Sequence, residues 1–460
     1  MIGRLLQTLA NCFKIPELRS RILFTALLLT AARLIMLVPI PGLDGAALQQ
    51  HFDEQAKRIG GSGAIGFYSL FTGGGLEKCA VGALGIMPYI SATIIIQLLT
   101  AVIPGLGKLA REEGGRAKIV AYGRYLTVLL CVGQGLVLAL SWENPQVFEF
   151  NQKIVTIDNV WLYRIQTVII LTTGTLVMMW LGEQITERGV GNGVSLIITI
   201  GILARLPLAF HALRVMFFPA DPSLREYNWT HAVLLIGLLF IVIGGVIMVT
   251  QGQRKIPVQY AQRAVGRKVY SGGTSFMPLR VNYAGVMPVI FASAILMFPG
   301  MILSKIGEIT KMNLLRDIGS ALSRGDGGWI YLSLYALMIL FFSYFWVATQ
   351  FNELQVADDL KKYGGYIPGI RPGSATSDFL HNTMSRVTLA GAIFLVLIAV
   401  VPLLLTRFLR IDPNVASFFG GTSLLITVGV LLDTMRQMES HLLMRHYDGF
   451  LQKGRIRGRS

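Results

Sequence analysis

Lys108, in GLGKLA, stands where a nucleotide-binding loop would place its phosphate-holding lysine, but leucine follows it instead of the serine or threonine that would hold magnesium. The six histidines, His51, His211, His231, His381, His441 and His446, are scattered in loops or near the ends of apolar runs. None sits in an HExxH frame, and no serine sits in GxSxG. Cys12, Cys79 and Cys131 fall in separate segments without CxxC or CxxH spacing, so neither a disulfide framework nor a metal site is indicated. No catalytic residue, metal ligand or cofactor is therefore expected. If the protein performs an energetically uphill task, a partner must supply the energy.

The elements carrying these residues are those of a membrane protein. Of 460 residues, 53% are hydrophobic and 14% charged, and the mean hydropathy is +0.58, too apolar for a soluble globule. Runs long enough to cross about 30 Å of hydrocarbon lie near residues 22–40, 82–103, 118–141, 163–182, 193–213, 231–250, 284–304, 329–350, 387–406 and 417–434. No Asp or Glu enters them before Asp433, whereas a coupled small-solute transporter would be expected to carry at least one carboxylate at membrane depth. Arg33, inside the first run, is the exception, expected in a structural role on a backbone carbonyl or a lipid phosphate. The segment before the first run, MIGRLLQTLANCFKIPELRSR, and the PIPG after it do not read as a cleavable signal, so the first run is expected to be retained.

The net charge of +16 first suggests nucleic acid, yet its distribution follows topology. Bases cluster before run one, between runs two and three, six and seven, and eight and nine, and after run ten, all on one side if the runs alternate. By the positive-inside rule that side is cytoplasmic and holds both termini.

GIMPYISAT at 85–93 returns as GVMPVIFAS at 285–293. Chance similarity between two proline-containing helices is the alternative to an internal repeat. The paired motifs lie in the second run of each set of five, and an odd number per half relates the halves by an axis in the membrane plane. The expected fold is thus an all-α membrane protein of ten transmembrane helices, in two inverted five-helix halves. Its expected segments are a cytoplasmic stretch (1–21), a first half (22–213), an outer hinge loop (214–230), a second half (231–434) and a basic tail (435–460). Gly73, Gly74 and Gly75 interrupt apolar pieces, and glycine-rich backbone at membrane depth must lie against protein or water. Residues 66–79 are therefore expected to form a short broken element inside the bundle, the alternative being an outer loop with an interfacial helix. In GEQITERGVGNGVS, Asn192 is expected to cap the helix that begins at Gly193. The cytoplasmic segments 251–283 and 351–386 are longer than a bundle needs.

PIPGLD (39–44), ALGIMPYISATIIIQLL (83–99), WLGEQITERGVGNGVS (180–195), GQRKIPVQYAQR (252–263), VNYAGVMPVIFASAIL (281–296), YIPGIRPG (366–373) and FGGTSLLI (419–426) together resemble the SecY family, the channel-forming subunits of the bacterial protein-conducting translocon. FNELQVADDLKK (351–362) departs from the family, which usually has proline after the asparagine and glutamate two residues beyond it. The resemblance implies a central pore constricted by Ile86, Ile90, Val194, Ile198, Ile290 and Ile426, where position alone would suggest lipid-facing aliphatics. It implies a plug around Phe67, Tyr68, Leu70, Phe71, Gly73, Gly74 and Gly75, and a lateral gate between runs two and three on one side and seven and eight on the other. It further implies docking of the SecA ATPase and the ribosome at Arg254, Lys255, Arg263, Arg267, Lys268 and Arg371. Other implied partners are SecE and SecG as a heterotrimer, signal sequences and nascent chains, the lipid bilayer, and SecD/SecF and YidC. The implied function is movement of unfolded polypeptide across the bacterial cytoplasmic (inner) membrane with sideways release of membrane segments. A secondary transporter of a small solute is the rival that an inverted repeat alone would favour.

Overall fold

A computed structural model describes residues 15–45, 72–143, 154–218, 227–323, 328–409 and 421–453, apart from the single positions 113 and 311 and the pairs 261–262, 266–267 and 271–272, together with the isolated residues 48, 411, 415, 416 and 418. These residues are mainly helical and divide into two compact units, 1–211 with 426–460, and 212–425.

In the first unit, α1 (Pro16–Ile35) is followed by buried turns over 72–86 and by α2 (Met87–Val102). Pro104 has no N–H to continue that helix and holds Ile103 in an extended conformation, so α3 (Pro104–Arg111) leaves α2 bent by 106°. Next, α4 (Gly115–Glu143) and α5 (Val160–Arg188) are clamped at two levels. Arg164 forks onto Glu143 at 2.9 and 3.0 Å, and Arg124 onto Glu183 at 3.0 and 2.9 Å. α6 (Gly193–Leu203) and α7 (Leu206–Phe217) meet at a short turn over Ala204 and Arg205. The expected boundary at residue 213 therefore lies inside α7. α14 (Thr422–Lys453) belongs to this unit from Ile426 onward, and Met438 packs against Leu18 and Val190.

The second unit holds α8 (Trp229–Gln251), α9 (Met287–Thr310), α10 (Asn313–Ser323), α11 (Trp329–Gln350), α12 (Glu353–Lys362) and α13 (Ser374–Leu409). Phe291 of α9 packs on Phe342 and Trp346 of α11, with ring centroids 6.0 and 5.3 Å apart. Between α8 and α9 the chain forms β1 (Gln253–Tyr260), β2 (Arg263–Val265), β3 (Lys268–Tyr270) and β4 (Thr274–Arg280), and β5 (Gly365–Tyr366) follows α12. β4, β1 and β5 make one antiparallel sheet, with Ile256 opposite Met277 and Gln259 opposite Tyr366. This sheet joins the two long segments 251–283 and 351–386. Ile256, Leu279, Val347, Phe351, Ile367, Leu380 and Met384 form the apolar core beneath it.

Among the described residues six helices are long and apolar enough to span a membrane, seven if the bent pair α2–α3 counts as one span. The runs drawn at 22–40, 284–304 and 417–434 fall largely on α1, α9 and α14.

Candidate functional site

The six aliphatic positions expected at a constriction lie at or near the starts of helices. Ile86 precedes α2, and the amide of Ile90 donates to its carbonyl at 3.2 Å. Val194 and Ile198 stand one turn apart at the start of α6, and Ile426 lies in the opening turns of α14. In the second unit, Ile290 occupies the first turn of α9, its amide donating to Val286. Gly182 of α5 brings two of them together: a Cβ there would lie 3.4 Å from Ile86 Cδ1 and 3.5 Å from Val194 Cγ2. Other aliphatics of the apolar helices stand open, as Ile241 does at 72% exposure, whereas Ile86, Ile90, Ile198, Ile290 and Ile426 are all at 4% or below. Val194 is half-buried.

Residues 72–86 form a stack of turns, with Gly73, Gly74, Cys79 and Gly85 all in the left-handed region. Backbone bonds hold the stack to the end of α1 and the chain after it: Val81 donates to Val38 at 2.8 Å, Gly82 to Ile35 at 3.2 Å, and Ile40 donates back to Cys79 at 2.8 Å. Gly73 requires both its φ of +59° and its lack of a side chain. A Cβ at that position would lie 2.7 Å from Arg33 Nη1, 3.0 Å from Gly201 Cα of α6 and 3.3 Å from Met36 Sδ. The Arg33 guanidinium donates to the Gly73 carbonyl at 2.8 Å, the backbone acceptor that the sequence left as one of two alternatives. Glu77 pairs with Arg205 in the turn after α6, both side chains being less than one-fifth exposed. Gly73, Gly74 and Gly75 are buried, in keeping with a broken element packed against protein. Phe67, Tyr68, Leu70 and Phe71 lie outside the described residues.

One sequence expectation needs correction here. Arg33 is not the only base within the apolar runs, because Arg124, Arg164 and Arg205 also lie inside the ranges drawn. Each of the three engages a carboxylate, Glu183, Glu143 and Glu77 respectively, and those carboxylates fall just outside the runs. Searching the runs for acids alone therefore missed the pairs. The signal available was a base inside a run with a Glu near the end of another.

The turn between α5 and α6 is satisfied amide by amide. Val190 donates to Thr25 Oγ1 of α1 at 3.0 Å, Gly191 to Gln437 Oε1 of α14 at 2.9 Å and Gly193 to Thr186 Oγ1 of α5 at 2.9 Å. Asn192 caps α6 as expected, its side chain accepting from the Ser195 amide at 3.2 Å. This turn thus ties together the helices on which Val194, Ile198 and Ile426 stand.

Of the basic residues expected to dock partners, Arg254 and Lys255 are exposed on β1, and Arg371 is exposed before α13. Arg263 and Lys268 lie on the β2–β3 hairpin, opposite Tyr270 and Val265, and Arg267 lies outside the described residues. At the departure from the family pattern, Asn352 caps α12 by accepting from Gln355 N at 3.2 Å, and Glu353 pairs with His381 of α13 at 3.0 Å. No group of three or more His, Cys, Asp or Glu side chains converges as a metal site among the described residues.

A family model described as SecY matches residues 80–435. The chain belongs to the SecY family. The chain is 41% identical to the protein translocase subunit SecY of Thermotoga maritima, the match covering 98% of this chain and 99% of the relative. The SecY subunit of Chlamydia trachomatis is 42% identical over the same shares, and that of Vibrio cholerae 41% identical over 96% of each chain. Solved structures share the SecY fold at 17% identity, with 91% of both chains covered. They include a protein-conducting channel at TM-score 0.53 and a SecY protein studied for the plug domain that stabilises its closed state, at 0.54. Sec61 from a canine ribosome-channel complex aligns at 0.52. As a SecY-family chain with this helical makeup, the protein is a multi-pass membrane protein.

Proposed function

We propose that this chain is the protein-conducting channel subunit of a bacterial translocase, passing unfolded secretory polypeptides across the cytoplasmic membrane and releasing transmembrane segments sideways into lipid. It is a channel and not an enzyme, consistent with its SecY-family membership. The observation that carries the reading is the burial of five isoleucines at or near helix starts, in a chain that leaves many other helical aliphatics exposed. An apolar constriction without fixed charge gates by dewetting, and it closes around any side chain without selecting one. Ile86, Ile90, Val194, Ile198, Ile290 and Ile426 form that ring, the two halves being related as inverted repeats. Residues 66–79 form the plug.

The exposed bases of the sheet and of the segment before α13 dock SecA and the ribosome, whose RNA attracts clustered cations. SecE and SecG complete the heterotrimer, and both termini lie in the cytoplasm. The test is reconstitution of the purified chain with SecE and SecA in vesicles. ATP-dependent protection of a secretory precursor from added protease supports this function, whereas solute uptake driven by an ion gradient, without precursor movement, overturns it.

A further inference from the structure

Charged groups at membrane depth are costly and persist where protein groups compensate them. The first unit places two arginines from different helices against one short segment. Arg33, two residues before the end of α1, donates to the carbonyl of Gly73 and lies 3.7 Å from Met36 Sδ. Arg205, in the turn after α6, pairs with Glu77 four residues further along the segment. Between these two contacts Gly73 approaches Gly201 of α6 so closely that no side chain fits. Cys79, two residues past Glu77, has no exposed surface.

From this geometry we infer that Arg33 and Arg205 are positioning residues that latch the plug in its resting place, Arg33 through the Gly73 carbonyl and Arg205 through Glu77. The inference rests on reading 66–79 as the plug. Displacing the segment strips Arg33 of its carbonyl acceptor and separates Glu77 from Arg205, so both contacts belong to the closed state and are lost together on opening. The ring is a separate seal. The latch sets how often the segment leaves unprompted, and the ring sets what leaks when it does.

Cys79 supplies a built-in reporter. In a Cys12→Ser, Cys131→Ser background, membrane vesicles carrying the full chain are treated with a thiol reagent from the outer face, and labelling of Cys79 is timed at rest. A charge-assisted hydrogen bond contributes about 1.5–3 kcal/mol, so Arg33→Gln, Arg205→Gln and Glu77→Gln are each expected to speed labelling about tenfold or more. The double variant Glu77→Arg, Arg205→Glu is expected to return towards the parent rate. Deletion of 67–75 serves as the control, expected to label fast and to raise resting conductance. Should an arginine variant fold poorly, Glu77→Gln, nearly equal in size to the parent, carries the test alone.

Parent-rate labelling in the three single variants beside a fast deletion control overturns the latch and leaves the plug standing. Fast single variants without recovery in the charge-swapped pair overturn the Arg205–Glu77 contact as its basis. A deletion control that labels slowly and conducts like the parent overturns the plug reading, and the latch with it.

Discussion

Gly85 and Gly285 adopt the same left-handed backbone, with φ of +59° and +62°, each two residues before the Met-Pro pair that opens a helix. The surroundings of the two turns differ. A Cβ on Gly85 would meet Thr72 Cγ2 at 3.2 Å, whereas one on Gly285 would meet nothing within 4 Å. Substitution by alanine is expected to cost about 1–2 kcal/mol of backbone strain at Gly285, and about 1–3 kcal/mol more at Gly85, where the added methyl crowds the turn stack. Thermal unfolding in detergent checks this ordering, and equal losses would contradict it.

A second prediction concerns the turn that joins α1, α5 and α14. Thr25→Val keeps the side-chain shape but leaves the Val190 amide without its acceptor, an expected loss of about 1–3 kcal/mol. Thr25→Ser, which restores the oxygen, is expected to recover most of that stability in the same measurement.

The sequence carried the helices and the local turns well, because these depend on short-range chemistry. Asn192 caps α6 as its position before a run of apolar residues implied, and the Met-Pro repeat proved a repeat of backbone geometry as well as of residue types. What depends on distant parts of the chain was harder to read. The pairing of Gln259 with Tyr366 joins segments 107 residues apart, and neither strand announces its partner. Glu77 and Arg205 are separated by 128 residues, so their pairing is visible only once α6 is folded against the turn stack. Burial of the five isoleucines was likewise illegible locally, since an isoleucine in a membrane helix looks the same whether it faces lipid or protein.

Gly182 offers a steric test of the constriction. Alanine there would make ordinary contacts of 3.4–3.5 Å with Ile86, Val194 and Ile197, so Gly182→Ala is expected to leave resting conductance unchanged. Gly182→Leu must push Ile86 and Val194 apart and is expected to raise it, as measured in planar bilayers.

Arg371 is exposed, and its carbonyl accepts from Thr376 Oγ1 at 2.9 Å. Arg371→Glu is therefore expected to lower SecA-driven precursor transport severalfold at unchanged protein yield. Vesicle transport scored against membrane content of the chain checks it, and normal transport would remove Arg371 from the docking surface.

The central claim is that Ile90 and Ile290, from the two copies of the repeat, line one dry constriction. Planar-bilayer conductance of the Ile90→Asn and Ile290→Asn variants, each beside its Ile→Leu control, tests it most directly. An amide in a dewetted ring favours wetted, open states, so both Asn variants are expected to raise resting ion conductance and both Leu variants to leave it at the parental level. Tight membranes with reduced folding yield for both Asn variants would contradict the account and place the pore elsewhere.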